Sequence, residues 1–172
     1  MKTLILGGVR SGKSRLAERL ATDSGLPVTY IATARGDDDE MRARIATHRA
    51  HRPSAWQVVE EPLALAVVLT QHAAAGRLLL VDCLTLWLTN LLLDEDPTRL
   101  ERERAALIKA LPGLPGRVVM VSNETGMGIV PLGELTRRYC DEAGRLHQEI
   151  AALSERVILT VAGLPHLLKG TL

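Results

Sequence analysis

Residues 7 to 14 read Gly7-Gly8-Val9-Arg10-Ser11-Gly12-Lys13-Ser14, a G-x-x-x-x-G-K-S run. That spacing makes a loop whose backbone N–H groups close around phosphate oxygens. Glycines serve there because the backbone must turn tightly and approach an anion. Lys13 is expected on the β- and γ-phosphates of a nucleoside triphosphate, and Ser14 on Mg²⁺. Arg10 either forks onto phosphate oxygens or points outward from the loop tip. The flanks agree with a phosphate loop. Thr3-Leu4-Ile5-Leu6 is an apolar run suited to a buried parallel strand. From Ser14 to Ala21, the residues Leu16, Ala17 and Leu20 share one helical face, and the helix start adds partial positive charge.

Asp82 closes the apolar run Leu78-Leu79-Leu80-Val81. An acid at the end of a buried strand, in a chain with a phosphate loop, is placed to hold the Mg²⁺ shell. The segment Met41 to Arg52 has a different character. On a helix, Met41, Ile45, His48 and Arg52 fall on one face, with Arg44, Arg49 and His51 nearby. Arginines around an imidazole favour its neutral form, which is a usable nucleophile towards phosphorus. By residue type alone, a partly buried structural histidine on a basic helix is the favoured reading of His48; His51 lies off the stripe and is the weaker candidate. Glu60 and Glu61 end a strand and either meet a ribose or base or stay solvated. Glu124 sits in Asn123-Glu124-Thr125-Gly126-Met127-Gly128, a glycine-punctuated loop that either serves a site or simply turns the chain.

These residues need a scaffold. Further strands are predicted at 28–33, 56–60, 77–81, 118–122 and 156–161. Helices are predicted near 37–51, from Pro62 to Ala75, and over 84–93, 98–111 and 132–153. The stretch after Gly163 carries no clear assignment. Alternating strands and helices imply an α/β fold with three layers, a mostly parallel sheet covered on both faces. Ligands bind at the carboxyl ends of such strands. The phosphate loop, Asp82 and the Asn123 loop all fall there, so they converge although distant in sequence. Arg35-Gly36 and Pro53 bracket the His48 helix, which predicts a lid that swings over the nucleotide.

A length of 172 residues suits one P-loop domain over 1–172 with a single sizeable core. The net charge of +1 gives no electrostatic footprint for nucleic acid or a membrane surface. With no Phe, and only Tyr30, Trp56, Trp87 and Tyr139 as aromatics, a base-stacking platform is not expected. The isolated Cys83 and Cys140 and the lack of a signal peptide point to a cytoplasmic protein. The apolar stretch 78–93 is interrupted by Asp82 and Asn90, so no membrane span is expected.

The whole chain resembles the bifunctional adenosylcobinamide kinase / adenosylcobinamide-phosphate guanylyltransferase family of cobalamin biosynthesis. The resemblance rests on the phosphate loop, Tyr30-Ile31-Ala32-Thr33, residues 39–45, His48-Arg49-x-x-Arg52-Pro53 with Trp56, Thr89-Asn90-Leu91-Leu92, and above all residues 122–131. It implies a RecA-like P-loop NTPase core and a homotrimer. It also implies that His48 is the histidine that carries a covalent guanylyl group. Ile31, Ala32, Thr33, Arg49, Ala50, His51, Arg52, Glu60 and Asp82 then join the phosphate loop around the nucleotide. The implied chemistry uses ATP or GTP with Mg²⁺ on adenosylcobinamide, then GTP on adenosylcobinamide phosphate. The rivals from the residues alone are a small-molecule kinase without the second activity and a RecA-like ATPase or switch.

Overall fold

The computed structural model describes residues 1–36, 39, 42–43 and 53–171. One seven-stranded sheet organises them, in the order β3-β2-β4-β5-β1-β6-β7. The strands are β1 (Lys2–Gly7), β2 (Val28–Ala32), β3 (Gln57–Glu60), β4 (Leu78–Asp82), β5 (Arg117–Asn123), β6 (Arg156–Val161) and β7 (Leu164–Lys169). All neighbours pair in parallel except β6 and β7. The helices are α1 (Lys13–Asp23), α2 (Leu65–His72), α3 (Leu84–Leu92), α4 (Arg99–Ala110) and α5 (Glu134–Leu153).

The apolar runs of β1, β4 and β5 lie in the middle of the sheet because both of their faces are covered. Along β1, Leu4 and Leu6 join one core and Ile5 joins the other, as the period of two requires. Leu16, Ala17 and Ala21 of α1 pack on the Ile5 face, with Tyr30, Leu80 and Val121. Residues of α2, α3, α4 and α5 pack on the other face, around the fully buried Trp87 and Leu107. The three-layer α/β expectation holds.

Two sequence readings need correction. The helix expected from Pro62 begins at Leu65, because the Glu61 carboxylate accepts the N–H groups of Leu63 and Ala64, both at 2.8 Å, and holds that stretch as a turn. It ends at His72, with Ala73 already extended. The stretch after Gly163, unassigned from sequence, is the antiparallel strand β7. It returns from β6 through Ala162 and Gly163, with φ of 52° and 80°. Two consecutive positive φ values are what a two-residue hairpin turn demands. The helix predicted near 37–51, and with it the lid, falls largely outside the described residues.

Candidate active site

The carboxyl ends of β1, β5 and β4 stand side by side, since β5 pairs with both of the others. Gly7 ends β1 and opens the phosphate loop. A Cβ at Gly7 would fall 2.4 Å from Ser11 Oγ and 2.6 Å from the Thr160 carbonyl, so the loop closes this tightly only over glycine. Arg10 has a φ of 55°, and its residue is exposed at the loop tip beside Val9. The Ser11 N–H donates to the Gly8 carbonyl at 3.2 Å. Gly12, at φ 94°, caps α1 in the left-handed region.

Lys13 and Ser14 are the first residues of α1, and both are half-buried. The Lys13 ammonium donates to the Gly8 carbonyl at 3.2 Å, across the loop that is to hold phosphate. Burial pulls its pKa down, while Cys83 and Asp82 oppose the shift. Asp82 is thus an electrostatic neighbour of Lys13. The Tyr30 hydroxyl donates to Asp82 Oδ2 at 3.2 Å and orients the carboxylate. Burial, then Asp82, pushes the Cys83 thiol up to about 11, so it stays protonated. The Ser14 hydroxyl and the Asp82 carboxylate are hard oxygen donors of the kind Mg²⁺ takes. Among the described residues, no group of three or more His, Cys, Asp or Glu side chains gathers as a metal site. The residues therefore fit an ion that takes most of its ligands from phosphate and water, not one held in a protein cage.

The remaining candidates divide. Ile31 and Thr33 are fully buried, so neither presents a surface to a nucleotide. The Thr33 hydroxyl donates to the Cys83 carbonyl at 2.6 Å and accepts the Cys83 N–H at 2.9 Å. Asn90 Nδ2 donates to the Thr33 carbonyl at 2.8 Å and to the Pro62 carbonyl at 3.1 Å. These two residues tie the ends of β2 and β4 together and set Asp82 in position. Ala32 is half-buried at the end of β2, and its carbonyl accepts the Glu61 N–H at 2.9 Å. Glu60 is exposed at the end of β3, level with Ala32. His48, Arg49, Ala50, His51 and Arg52 lie outside the described residues.

A further group at this edge has no assignment from sequence. The Glu124 N–H donates to the Gly7 carbonyl at 3.0 Å, which joins the Asn123 loop to the start of the phosphate loop. Glu124 Oε1 accepts the Gly126 N–H at 2.6 Å. His147 Nδ1 of α5 lies 3.7 Å from Glu124 Oε2, and its Nε2 lies 2.8 Å from Ser122 Oγ. Burial holds the His147 pKa below the ordinary value, against the pull of Glu124. In sequence, His147 reads only as one more residue on the buried stripe of Ala143, Leu146 and Ile150. Its setting comes from the packing of α5 beside β5.

Solved structures share this architecture at low identity. A Pyrococcus horikoshii protein from a structural study, PH0250, aligns with a TM-score of 0.56 at 11% identity, over 99% of this chain and 87% of its own. The RadB recombinase aligns with a TM-score of 0.51 at 16% identity, over 92% of this chain and 73% of its own. The P4 protein of bacteriophage phi6, in complex with ADP, aligns with a TM-score of 0.50 at 16% identity, over 96% and 53%. The RecA-like P-loop core is therefore the fold. The model of the family "Cobinamide kinase / cobinamide phosphate guanyltransferase" (CobU) matches residues 3–168.

The chain belongs to that family.

It is 68% identical to the bifunctional adenosylcobalamin biosynthesis protein CobP of Pseudomonas aeruginosa, over 99% of this chain and 98% of that protein. It is 42% identical to the bifunctional CobU of Escherichia coli, over 95% and 97%. A member of this family is a kinase and guanylyltransferase of cobalamin biosynthesis, and the phosphate loop at the carboxyl edge of the sheet agrees with both activities.

Proposed function

We propose that one nucleotide site, at the carboxyl ends of β1, β5 and β4, serves both reactions in turn. The observation that carries this reading is the closeness of the phosphate loop, Asp82 and the Asn123 loop along a single sheet edge. In the first reaction the terminal hydroxyl of adenosylcobinamide attacks the γ-phosphorus of ATP or GTP. The bond to the β-phosphate oxygen breaks and the nucleoside diphosphate leaves. Lys13 and the loop N–H groups stabilise the charge that develops. Mg²⁺, held by Ser14 and Asp82, neutralises phosphate charge when bound.

In the second reaction His48 attacks the α-phosphorus of GTP, and pyrophosphate leaves. A phosphate oxygen of adenosylcobinamide phosphate then attacks the same phosphorus, the P–N bond breaks, and adenosylcobinamide-GDP forms with His48 restored. A covalent carrier lets the pocket hold its large partners one after the other. Arg49, Ala50, His51, Arg52 and Glu60 line the guanine nucleotide in this reading. The acceptor side is the loop after β5, where Met127, Ile129, Val130 and Leu132 are exposed in one stretch. An apolar patch of this kind beside a phosphate loop suits a large, flat, partly apolar acceptor.

The test is incubation with α-labelled GTP. Wild-type protein retains label that is lost in mild acid and kept in base, as a phosphoramidate behaves. His48→Ala retains none and still phosphorylates adenosylcobinamide. Acid-labile label on the His48→Ala protein would move the nucleophile elsewhere, with His51 the next residue to replace.

A further inference from the structure

The two reactions differ in what their acceptors need. A hydroxyl must lose a proton as it attacks phosphorus. A phosphate monoester is already ionised and has none to lose. The kinase step therefore asks for a base that the guanylyl transfer does not. Asp82 lies beside Lys13 and is already assigned to Mg²⁺ in this reading, and burial keeps the Cys83 thiol protonated.

Among the described residues, the Asn123 loop supplies a further carboxylate next to the phosphate loop. β5 lies between the phosphate-loop strand and the Asp82 strand, so whatever ends it faces the space between them. Asn123 ends β5, and Glu124 follows it directly. The main chain of Glu124 is one hydrogen bond from Gly7, and its side chain is 20% exposed. The Gly126 N–H fixes one carboxylate oxygen, and His147 stands against the other. Next to it, Asn123 Oδ1 is buried and has no hydrogen-bond partner among the described residues. Tyr139 of α5 is half-buried, and its phenol is pushed up to about 12, first by burial and then by Cys83, Cys140 and Glu124.

We infer that Glu124 is the proton acceptor of the phosphoryl-transfer step, oriented by His147. The inference rests on the reading of one nucleotide site with two successive acceptors. As the hydroxyl oxygen bonds to the γ-phosphorus, its proton passes to Glu124 Oε2. The β–γ bridging bond breaks, and the nucleoside diphosphate takes the electron pair. Glu124 then releases the proton to solvent. His147 is a positioning residue. Its ring is anchored on Ser122 Oγ, and its Nδ1 edge stands 3.7 Å from Oε2. Ser122 is itself buried and meets no substrate.

Glu124→Gln keeps an oxygen for the Gly126 N–H and removes only the basicity. The kinase kcat should fall by about 10²- to 10⁴-fold, the usual worth of a general base, with the KM for nucleotide unchanged. The same protein should take acid-labile label from GTP, and pass it to adenosylcobinamide phosphate, at wild-type rates. An unchanged kinase kcat overturns the inference. Loss of both activities also overturns it, since Glu124 would then hold the shared site together. Failure of the wild-type protein to take label is a separate outcome, and it sinks the two-acceptor reading instead. For His147, replacement by Leu should lower the kinase kcat about tenfold. Replacement by Asn, whose amide nitrogen overlies Nδ1, should restore most of it. Equal rates for the two variants would remove His147 from the proposal.

Discussion

The backbone N–H of Gly163 donates to the carbonyl of Ser11 at 2.9 Å, so the β6–β7 turn is fastened directly to the phosphate loop. The loop is thus braced from outside its own motif. A Cβ on Gly12 would stand 3.1 Å from the Gly163 Cα, on backbone that also requires a φ of 94°.

Gly12→Ala should therefore strain the loop twice, by conformation and by contact. Left-handed backbone costs an alanine about 1–2 kcal/mol. For a chain of this size that lowers Tm by roughly 2–8 °C. Affinity for the triphosphate should fall at least about tenfold, since the N–H groups lose their common aim. Thermal unfolding and equilibrium nucleotide binding measure the two effects. A wild-type Tm would mean that the β6–β7 turn yields without resistance.

Lys13→Ala should abolish both activities, because both place a triphosphate on the same loop. Loss of a charged contact at a developing phosphate charge costs about 3 kcal/mol or more of transition-state stabilisation. Rates of nucleoside diphosphate release and of protein labelling from GTP report the two steps separately. Labelling at the wild-type rate would contradict a shared pocket.

Thr33→Val tests whether Thr33 is a nucleotide contact or a brace. Valine keeps the shape and leaves the buried Cys83 N–H and carbonyl without the hydroxyl that serves both. The expected loss of stability is about 1–3 kcal/mol, read by urea unfolding. Unchanged stability together with weakened GTP binding would restore the direct contact implied by the family resemblance.

His147 makes a prediction about pH. Burial holds its folded-state pKa below the value in the unfolded chain, about 6.5. Above that value neither state is protonated there, and the contribution to stability is fully present. Below it the unfolded chain takes up a proton that the folded chain refuses, so stability falls as pH falls. Urea unfolding at about pH 7.5 and about pH 5.5 should show a smaller loss for His147→Gln than for wild type. Equal losses would assign the acid sensitivity to other groups.

The sequence shows what is local and repeats a known chemical pattern. The phosphate loop is legible because its spacing, the preceding apolar run and the following helical face all fall within twenty residues. Asp82 is legible as the acid that ends an apolar run. Features set by a side chain reaching back to the main chain are not. Nothing in the run Glu60-Glu61-Pro62 says that Glu61 will hold two N–H groups and delay α2 to Leu65. β7 was hidden for another reason. Leu164-Pro165-His166-Leu167-Leu168-Lys169 has a proline and no alternation, and its exposed strand at the sheet edge needs neither a full ladder nor a buried face. The Glu124–His147 pair joins a loop to the middle of a helix, and only the packing of α5 against β5 brings the two together.

The position of β1 has a consequence for how the chain is made. Its partners are β5 and β6, and Lys2 meets Val118 while Thr3 meets Arg156. During synthesis β1 therefore has neither of its neighbours until more than a hundred further residues have followed. The loop that begins at Gly7 receives its brace at Gly163 later still. A chain stopped before β5 carries the whole phosphate-loop motif and lacks both strands that pair with β1, so the shaped loop must wait for them.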